Sequence, residues 1–443
     1  MAASAKRKAA QESPGSKSKK RKIEVPEYHL TASRADNAGE VVWPAPAAQI
    51  ERAREIIREC AKAQKTVLIM PDKDADGLSS GAILHHTLTA LGLDSSLISV
   101  HFPAKGSNVH ESSTRDVIDE TSPSYIFVLD QGSRKTPPLA DDPTTCLIID
   151  HHFAEDGGFP EGSEYVTAHD CPPVATSSLL TYHICLPLHP DLSDKISWLA
   201  ILGTHGDLGN TFKWQTPFPD MTAIFKQHPK SKISEAVVRV NAPRRSAAYN
   251  VQAAWDAIIS ASNPEAIMKD RALEAASKEV KLETERCARA PPKFSADATI
   301  SVHTISSKAQ IHPVIATRWA AYLTSQTLEI VMCANEGYLP GKVNFSCRVA
   351  KDARARGGDD KVDIIKKLEN IASVDPELRE RLGENFARGH KEASGGIVGT
   401  AEWEELKRLM AIGEGNRKKG DGARKKDAKP AQKNTLTNYF AKK

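Results

Sequence analysis

The 443-residue sequence lacks any run of about 18 consecutive apolar residues, the length that a membrane-spanning helix needs. Its first residues contain no apolar core of the kind found in secretory signal peptides. Its seven cysteines are scattered, and no two of them form a CxxC pair. These absences argue against a membrane protein, a disulfide-rich secreted domain and a cysteine zinc site. We therefore expect a soluble protein of a reducing compartment, with no membrane partner.

A large excess of charge of either sign is also missing, because 60 lysines and arginines oppose 56 aspartates and glutamates for a net charge of +4. The balance hides an asymmetry: residues 1–34 carry +6, residues 413–443 carry +7, and residues 35–412 carry −9. Basic segments with few apolar residues cannot bury enough surface to offset the entropy of the chain. We predict disordered basic tails at residues 1–40 and 413–443.

Short apolar segments alternate with helical patterns between residues 41 and 215. The segments predicted as strands are 66–70, 96–102, 125–129 and 146–149. Since each parallel crossover needs a covering helix, this alternation predicts an α/β domain with a doubly wound parallel sheet. Apolar residues at helical spacing predict a helical connector over residues 216–294. Strand and helix patterns return over residues 295–412 and predict a second, smaller α/β domain.

Aspartates and histidines cluster where the predicted strands of the first domain end. They are Asp72, Asp74 and Asp76 in PDKDADGLSS, Asp130 after YIFVL, Asp150, His151 and His152 in LIIDHH, and Asp207 in GTHGDLG. Ligands of an open parallel sheet bind outside the carboxyl ends of its strands, so we expect these side chains to converge. Carboxylates and imidazoles without a thiolate suit Mn²⁺ or Mg²⁺. Two such ions would activate water for phosphoryl transfer, which predicts hydrolysis of a phosphate ester.

Each of these residues has a simpler interpretation when it is taken alone. The DxDxDG pattern resembles the start of a calcium loop, although the glutamate expected further along is missing. Asp130 alone would often cap a helix, and His151 and His152 would often be ordinary polar residues. Their joint placement favours the metal site. The amides of the next predicted helix, near Ser79 and Ser80, could receive a phosphate.

In this order, these motifs resemble those of the DHH phosphoesterase superfamily, which includes RecJ-type single-strand exonucleases and small oligonucleotide hydrolases. The resemblance implies metal ligation by Asp74, Asp76, Asp130, His151 and Asp207, with Asp72 and Asp150 as ligands or as carboxylates that hold a ligand in place. It also implies that His152 faces the substrate or leaving group, so that Asp150 and His152 are the candidate catalytic residues. The implied cofactors are two Mn²⁺ or Mg²⁺ ions.

The second predicted domain extends the resemblance. RGHKEASGG at residues 388–396 resembles the GGH segment of the DHH-associated domain, and Ser346-Cys347-Arg348 resembles its strand with a substrate-facing arginine. The substrate contacts implied there are Arg348, Gly389, His390, Gly395 and Gly396. Taken alone, the loop around His390 would be a plain turn. Arg388 stands where the family usually has glycine, so the loop is expected to be less open.

Other departures concern the RecJ-type enzymes. The segment FPAKGSNVHESS lacks their arginine and Gly-Tyr-Gly, and it offers Lys105 as a substrate contact instead. Only a tail follows the second predicted domain, where those enzymes have an added OB-fold domain. Long tracking along a single strand is therefore not expected.

Both tails carry address-like patterns. Lys6, Arg7 and Lys8 precede Lys19, Lys20, Arg21 and Lys22 after a short spacer, which resembles a bipartite nuclear-import signal. Near the other end, Leu436, Tyr439 and Phe440 resemble a sliding-clamp binding box in imperfect register. The alternatives are a solvated basic arm and a tail with incidental aromatic residues.

The favoured function is a nuclear, metal-dependent phosphodiesterase that hydrolyses single-stranded DNA or short oligonucleotides. An import receptor and a sliding clamp are its expected protein partners. One alternative is a phosphatase of polyphosphate, pyrophosphate or a small nucleotide, which would use the same chemistry in a different pocket. Another is a non-catalytic replication scaffold of RecJ-like ancestry, for which loss of metal ligands would be expected. Every acidic motif is intact in this sequence.

Overall fold

The computed structural model describes residues 27–36, 38–141, 143–155, 157–356 and 361–414. The predicted import clusters and the predicted clamp box lie outside these ranges. Within them, no helix combines the length and apolar character needed to cross a membrane. The described residues form two α/β domains joined through helices, as the sequence predicts.

The first domain is built on parallel strands. Its elements are α1 Ala47–Ala63, β1 Val67–Pro71, α2 Ala75–Ala90, β2 Ile98–Val100, α3 Ser112–Thr121, β3 Tyr125–Leu129, β4 Thr145–Asp150, β5 Glu164–Thr167, α4 Ser177–Cys185 and α5 Ser193–Leu208. The strands pair in the order β2-β1-β3-β4-β5, and all described pairings are parallel. This confirms the doubly wound parallel sheet. The short edge strand β5 is missing from the sequence prediction.

The strands of this sheet are apolar on both faces because both faces are covered. Ile69 and Phe127 belong to one core cluster, which helices α1, α2, α4 and α5 share. Their chain neighbours Met70 and Val128 belong to a cluster on the opposite face, together with Ile118 of α3. A parallel sheet buried on both faces requires continuous apolar strands rather than alternating ones. The strand order also reverses direction between β1 and β3, and such a point opens a crevice at the carboxyl ends of the two strands.

Helices follow over residues 222–287. They are α6 Thr222–Gln227, α7 Lys230–Val240, α8 Ala242–Arg245, α9 Val251–Ser260, α10 Pro264–Met268 and α11 Arg271–Cys287. Ile233 and Ile258 are buried in the core of the first domain, whereas Cys287 at the end of α11 lies in the second core. These helices therefore extend the first core and lead into the second. The short helix α8 brings two arginines to the crevice.

The second domain has a mixed sheet. Its elements are β6 Lys293–Phe294, β7 Ile300–Ile305, α12 His312–Tyr322, β8 Ile330–Leu339, β9 Lys342–Val349, α13 Lys351–Arg354, α14 Ile364–Ala372, α15 Pro376–Leu382, β10 Arg388–His390, β11 Ala393–Gly399 and α16 Thr400–Leu409. The strand order is β10-β11-β9-β8-β7-β6, and β7 with β8 is the parallel pair among them. The core around Phe345 and Trp403 is fully buried. The smaller α/β domain is thus confirmed.

The N-terminal segment departs from the prediction of a tail that is disordered up to residue 40. A 3-10 turn over Glu27–His29 packs on the first domain, and the His29 side chain is buried. The backbone N–H of Val174 donates to the Tyr28 carbonyl at 3.0 Å, and His29 Nδ1 lies 2.5 Å from the Val174 carbonyl. Trp43 Nε1 donates to the neighbouring Pro173 carbonyl at 2.9 Å. These partners are far away in the chain, so charge and composition could not reveal them.

Candidate active site

The segment after β1 turns sharply into α2. Asp74 is the N-cap of that helix, and its Oδ1 accepts hydrogen bonds from the amides of Asp76 at 3.0 Å and Gly77 at 3.3 Å. A Cβ on Gly77 would lie only 2.5 Å from the Asp72 carbonyl oxygen, so this turn needs glycine. The local sequence thus holds three carboxylates at one strand end.

Asp76 points into the protein and is fully buried. Its Oδ2 accepts from the amide of Ser177 at 2.8 Å, and its Oδ1 accepts from the amide of Ser178 at 3.1 Å and from the Ser178 hydroxyl. These groups start helix α4, so the first turn of α4 holds this carboxylate. Ser177 Oγ also donates to Asp130 Oδ1 at 2.8 Å and connects the ends of β1 and β3.

His151 is the centre of the carboxylate cluster. Its Nε2 lies 3.4 Å from Asp130 Oδ1 and 3.5 Å from Asp207 Oδ2. Asp130 itself has a positive φ of 62°, which turns the chain immediately after β3. The cluster therefore joins the ends of β3 and β4 with the last turn of α5.

Three groups of ligand atoms in the described residues are compact enough to hold a metal ion, with all atoms of a group within 4.8 Å of one another. They are Asp130, His151 and His152; Asp76, His151 and Asp207; and Asp72, Asp74 and Asp130. The donors are carboxylate oxygens and imidazole nitrogens, which fit Mn²⁺ or Mg²⁺. The Nδ1 atom of His151 is buried with no hydrogen-bond partner within the described residues, while its Nε2 lies beside the carboxylate oxygens of Asp130 and Asp207.

The electrostatics of the cluster call for a cation. Burial and the neighbouring aspartates raise the pKa of Asp130 and Asp207 well above the usual carboxyl value. Burial raises the pKa of Asp76 to about 6. Charging these groups together in the folded protein is unfavourable, because each repels the others in a site with little water. A bound divalent ion would remove that cost.

Asp150 is predicted as a metal ligand or as a carboxylate that holds a ligand in place, and its contacts fit the second role. It is fully buried and does not belong to the ligand groups found in the described residues. Its Oδ1 accepts from the amides of His151 and His152 and from His152 Nδ1 at 2.8 Å, and its Oδ2 accepts from the Ser133 hydroxyl at 2.6 Å. Because its oxygens are already hydrogen-bonded, Asp150 orients the histidines rather than contacting a metal or substrate.

The positive charge of His152 depends on Asp150. Burial by itself would lower the pKa of His152, but the adjacent Asp150 carboxylate raises it to about 10. For Asp150 the balance is reversed, because burial raises its pKa and the His152 charge with its hydrogen bond lowers it to below the usual value. The His152 side chain remains 49% exposed. It is therefore a cation that can contact a ligand.

The cluster opens into a cavity of about 540 Å³ between the two domains. The cavity is lined by Tyr28, His29, Asp74, His151, His152, Phe153, His169, Val174, Gly206, Asp207, Leu208, Asn241, Arg244, Arg245 and His390. The structure thus brings His390 of the second domain to the predicted metal cluster. This volume is in the range of small-molecule and cofactor sites.

The other residues of the second domain that are predicted to bind substrate are not among those that line this cavity. Arg348 is half-buried, and its Nη1 donates to Ser346 Oγ at 2.9 Å. Gly389 has a φ of 109°, which favours glycine. A Cβ on Gly395 would lie 2.5 Å from the Phe345 carbonyl oxygen, and one on Gly396 would lie 2.8 Å from the Phe345 ring. Gly395 and Gly396 are therefore required by the close packing of β11 against β9.

Three residues predicted to contact substrate are not among those that line the metal cavity. Ser79 and Ser80 are fully buried inside α2, and Ser80 Oγ donates to the Asp76 carbonyl at 2.8 Å. They lie within α2, beyond the N-terminal amides that could bind a phosphate. Lys105 instead binds the Lys308 carbonyl, and its Nζ lies 4.1 Å from the centre of the Tyr338 ring. It therefore holds the two domains together outside the metal cavity.

Several residues of this cavity were not predicted from the sequence. Arg244 Nη2 lies 3.3 Å from Asp74 Oδ2, and Arg245 lines the same wall. Burial and the adjacent Arg244 lower the pKa of Arg245 to about 10. The adjacent arginines at the end of an amphipathic stretch were the signal available, but their position depends on how α8 packs.

Gly203 of α5 allows that helix to approach the hydrogen bonds of Asp76. A Cβ at this position would lie 2.2 Å from Ser178 Oγ and 2.7 Å from Asp76 Oδ1. In an open helix Gly→Ala stabilises by about 0.5–1 kcal/mol, but overpacking in a tight core costs about 1–3 kcal/mol. We expect Gly203→Ala to lower the free energy of unfolding, as measured by urea denaturation. Lys195→Ala on the exposed part of α5 is the control, and an increase in stability for Gly203→Ala would contradict the packing.

Comparisons with known proteins agree with this geometry. The family model described as "DHH family, N-terminal domain" matches residues 66–204. No match to this chain is found among curated proteins.

Similar solved structures include RecJ in complex with Mn²⁺ from Thermus thermophilus, with 17% identity and a TM-score of 0.59 over 84% of this chain and 55% of that one. This chain therefore spans about half the length of that protein. Exonuclease RecJ bound to manganese has 18% identity and a TM-score of 0.57 over 83% of this chain and 94% of that one. The DHH domain of a member of the s1p family of ribosomal proteins has 13% identity and a TM-score of 0.57 over 82% and 90%. At these identities the likeness shows the fold.

Proposed function

Because the chain belongs to the DHH phosphoesterase superfamily, with residues 66–204 as its N-terminal DHH domain, we propose that it is a metal-dependent phosphodiesterase. Its proposed substrates are single-stranded DNA or short oligonucleotides, which it would hydrolyse in the cavity between the two domains. The observation that carries the proposal is the meeting of carboxylates and His151 from β1, β3, β4 and α5 at one crevice.

Two metal ions would be held by the carboxylates of the ligand groups defined above and by His151, which leaves His152 for the substrate. Asp130 belongs to two of these groups, so it would be the ligand that they share. When bound, Mn²⁺ or Mg²⁺ lowers the pKa of a water molecule and stabilises the negative charge that develops in phosphoryl transfer. The protein's own contribution is to keep these ligands fixed, through Ser177 and Ser178 on one side and the Asp150 hydrogen bonds on the other.

His152 is proposed to act on the substrate. With Nδ1–H donated to Asp150, its Nε2–H is the proton left for a phosphate oxygen or a leaving oxygen. The positive charge of the ring, which Asp150 stabilises, would hold a negatively charged phosphate at the half-exposed side of the cavity.

Arg244 and Arg245 would receive a further phosphate. Two neighbouring guanidinium groups in a part-buried wall repel each other, and the lowered pKa of Arg245 reflects this cost together with burial. An anionic backbone would relieve it, and a guanidinium can hold a phosphate in a bidentate manner. His390 faces the same cavity from the second domain. A substrate with more than one phosphate therefore suits the site.

The proposed preference for nucleic acid is supported by the shared fold and not by a contact within the site. Exonuclease RecJ bound to manganese shares the fold over most of both chains, and its activity comes to this chain as a proposal. The intact acidic and histidine positions favour catalysis over a non-catalytic scaffold. Nuclear localisation, the import receptor and the sliding clamp rest on the patterns at residues 6–22 and 432–440, and they remain part of this proposal.

Substrate length is the property that tests the proposed function. With Mn²⁺, the purified full-length protein is expected to degrade 5′- and 3′-labelled single-stranded DNA or RNA of several lengths, resolved on gels. EDTA should stop the reaction. Pyrophosphate and polyphosphate are assayed in parallel by phosphate release. Rapid turnover of pyrophosphate or a dinucleotide, with no cleavage of 20-mers, would replace this proposal by a small-substrate phosphatase, and no turnover of any substrate would favour the scaffold.

A further inference from the structure

The mouth of the metal cavity has aromatic rings that the proposed hydrolysis does not use. Tyr28 and Phe153 both line the cavity, and the two residues are 36% and 64% exposed. Phe153 follows directly on the Asp150-His151-His152 segment, so the chain places it beside the reacting groups. We call these two side chains the stacking rim.

Tyr28 is held firmly at this position although it precedes the first domain. Its carbonyl accepts a hydrogen bond from the amide of Val174 at 3.0 Å, and the next residue, His29, is buried with its Nδ1 beside the Val174 carbonyl. The His29 ring centre lies 6.4 Å from that of His151. A ring fixed in this way loses little entropy when it binds a ligand.

Both rings of the rim retain surface that can contact a ligand. The Tyr28 ring centre lies 5.7 Å from that of His390 in the second domain, at a tilt of 35°. The Phe153 ring meets His169 edge to face at a centroid distance of 4.8 Å. These neighbours do not enclose the rings, as the exposed fractions show. A single exposed phenylalanine is common, but two such rings at the mouth of one polar cavity form a patterned surface.

The cavity therefore combines two kinds of contact. Arg244 and Arg245 offer positive charge in the wall of the cavity, and the rim offers flat apolar faces. Positive charge for the backbone together with aromatic faces for the bases is how proteins bind single strands without reading their sequence. Inorganic polyphosphate has no group that could use the rim.

We propose that Tyr28 and Phe153 bind nucleobases by stacking while the phosphates next to those bases occupy the metal cavity. This inference rests on the proposed function, because it requires a nucleic-acid substrate. Binding through base faces predicts tolerance of base identity and a strong requirement for the presence of bases.

The test compares two ligands that share a backbone. Fluorescein-labelled oligothymidylate of five nucleotides and the same backbone built of abasic tetrahydrofuran units are titrated with the full-length protein. Binding is followed by fluorescence anisotropy with Ca²⁺ in place of Mn²⁺, and gels confirm that the ligands stay intact. The variants are Tyr28→Ala, Tyr28→Phe and Phe153→Ala. Phe294→Ala is the matched control, since Phe294 is 37% exposed on β6 and is not among the residues that line the cavity.

Stacking of one base on one ring is worth about 1–3 kcal/mol, so Tyr28→Ala and Phe153→Ala should each raise the Kd for oligothymidylate by roughly 5- to 150-fold. The Kd for the abasic ligand should stay within about twofold, and Tyr28→Phe should bind like the wild type because it keeps the ring. Equal losses for both ligands, or no loss for either, would overturn the stacking rim. If the wild-type protein neither binds nor cleaves oligothymidylate, the proposed function itself fails and the rim proposal fails with it.

Discussion

Asp130→Asn is expected to abolish Mn²⁺-dependent hydrolysis while leaving the metal-free protein at least as stable as the wild type. Asp130 belongs to two of the ligand groups and lies 3.4 Å from His151 Nε2. Loss of a residue that merely supports a ligand costs about 10- to 100-fold, so loss of a shared ligand should exceed about 100-fold. The measurement is kcat/KM on a labelled oligonucleotide with saturating Mn²⁺.

Asparagine is the appropriate replacement because of the backbone at this position. Asp130 has a positive φ, which asparagine tolerates better than alanine does. The side-chain amide oxygen of the replacement can still accept the hydrogen bond from Ser177 Oγ. A loss of activity in this variant would therefore report the missing charge and ligand rather than a distorted turn.

The stability of the same variant has a defined pH dependence. The pKa of the Asp130 carboxyl is raised in the folded state by burial and by Asp76, so the folded protein binds more protons than the unfolded chain above the usual carboxyl pKa. The stability of the metal-free wild type should therefore fall as pH rises through that raised value, and this fall should be smaller in Asp130→Asn. Thermal unfolding in EDTA from pH 5 to pH 8 measures the effect, and added Mn²⁺ should raise Tm in the wild type more than in the variant.

Asp191→Asn is the control for both measurements, because the Asp191 side chain is 78% exposed and Asp191 does not belong to the ligand groups. It should change neither the activity nor the response to Mn²⁺. Activity of Asp130→Asn within tenfold of the wild type would remove Asp130 from the metal site.

Asp150→Asn is expected to lower kcat by about 10- to 100-fold through His152, although Asp150 does not face the cavity. The carboxylate accepts hydrogen bonds from His152 Nδ1 and from the Ser133 hydroxyl. The NH2 group of an asparagine amide would face one of these two donors and could not accept its hydrogen bond. A buried group left without its partner costs about 1–3 kcal/mol, so the free energy of unfolding should also fall. The variant should lose activity and stability together.

A pH profile separates this positioning role from simple damage to the fold. Asp150 raises the pKa of His152 to about 10, and without the carboxylate this pKa should move toward the usual histidine value of 6.5. Because the proposed acid is protonated His152, the alkaline limit of kcat should shift to lower pH in Asp150→Asn. Ser133→Ala removes only the hydroxyl hydrogen bond and should show a much smaller shift. An unchanged alkaline limit in Asp150→Asn would contradict the role of this pair.

The parts of the fold that sequence predicts well are those with continuous apolar segments. The strand predicted at 125–129 has the same bounds in the structure. The strands β10 and β11 escaped prediction, since Gly389, Gly395 and Gly396 interrupt any apolar alternation. Those glycines suit the positive φ of one residue and the close approach of two strands, which local patterns do not show.

Sequence alone determined the order of carboxylate and histidine motifs, and hence the class of chemistry, because parallel strands always present their carboxyl ends at one edge. Only the tertiary structure decided how each side chain is used. It buried Ser79 and Ser80 within α2, paired the Asp150 carboxylate with His152, and brought Tyr28 and Arg244 to the cavity. The reason is physical: these outcomes depend on which way a helix face turns and on contacts between segments far apart in the chain. Neither has a local signature in composition or spacing.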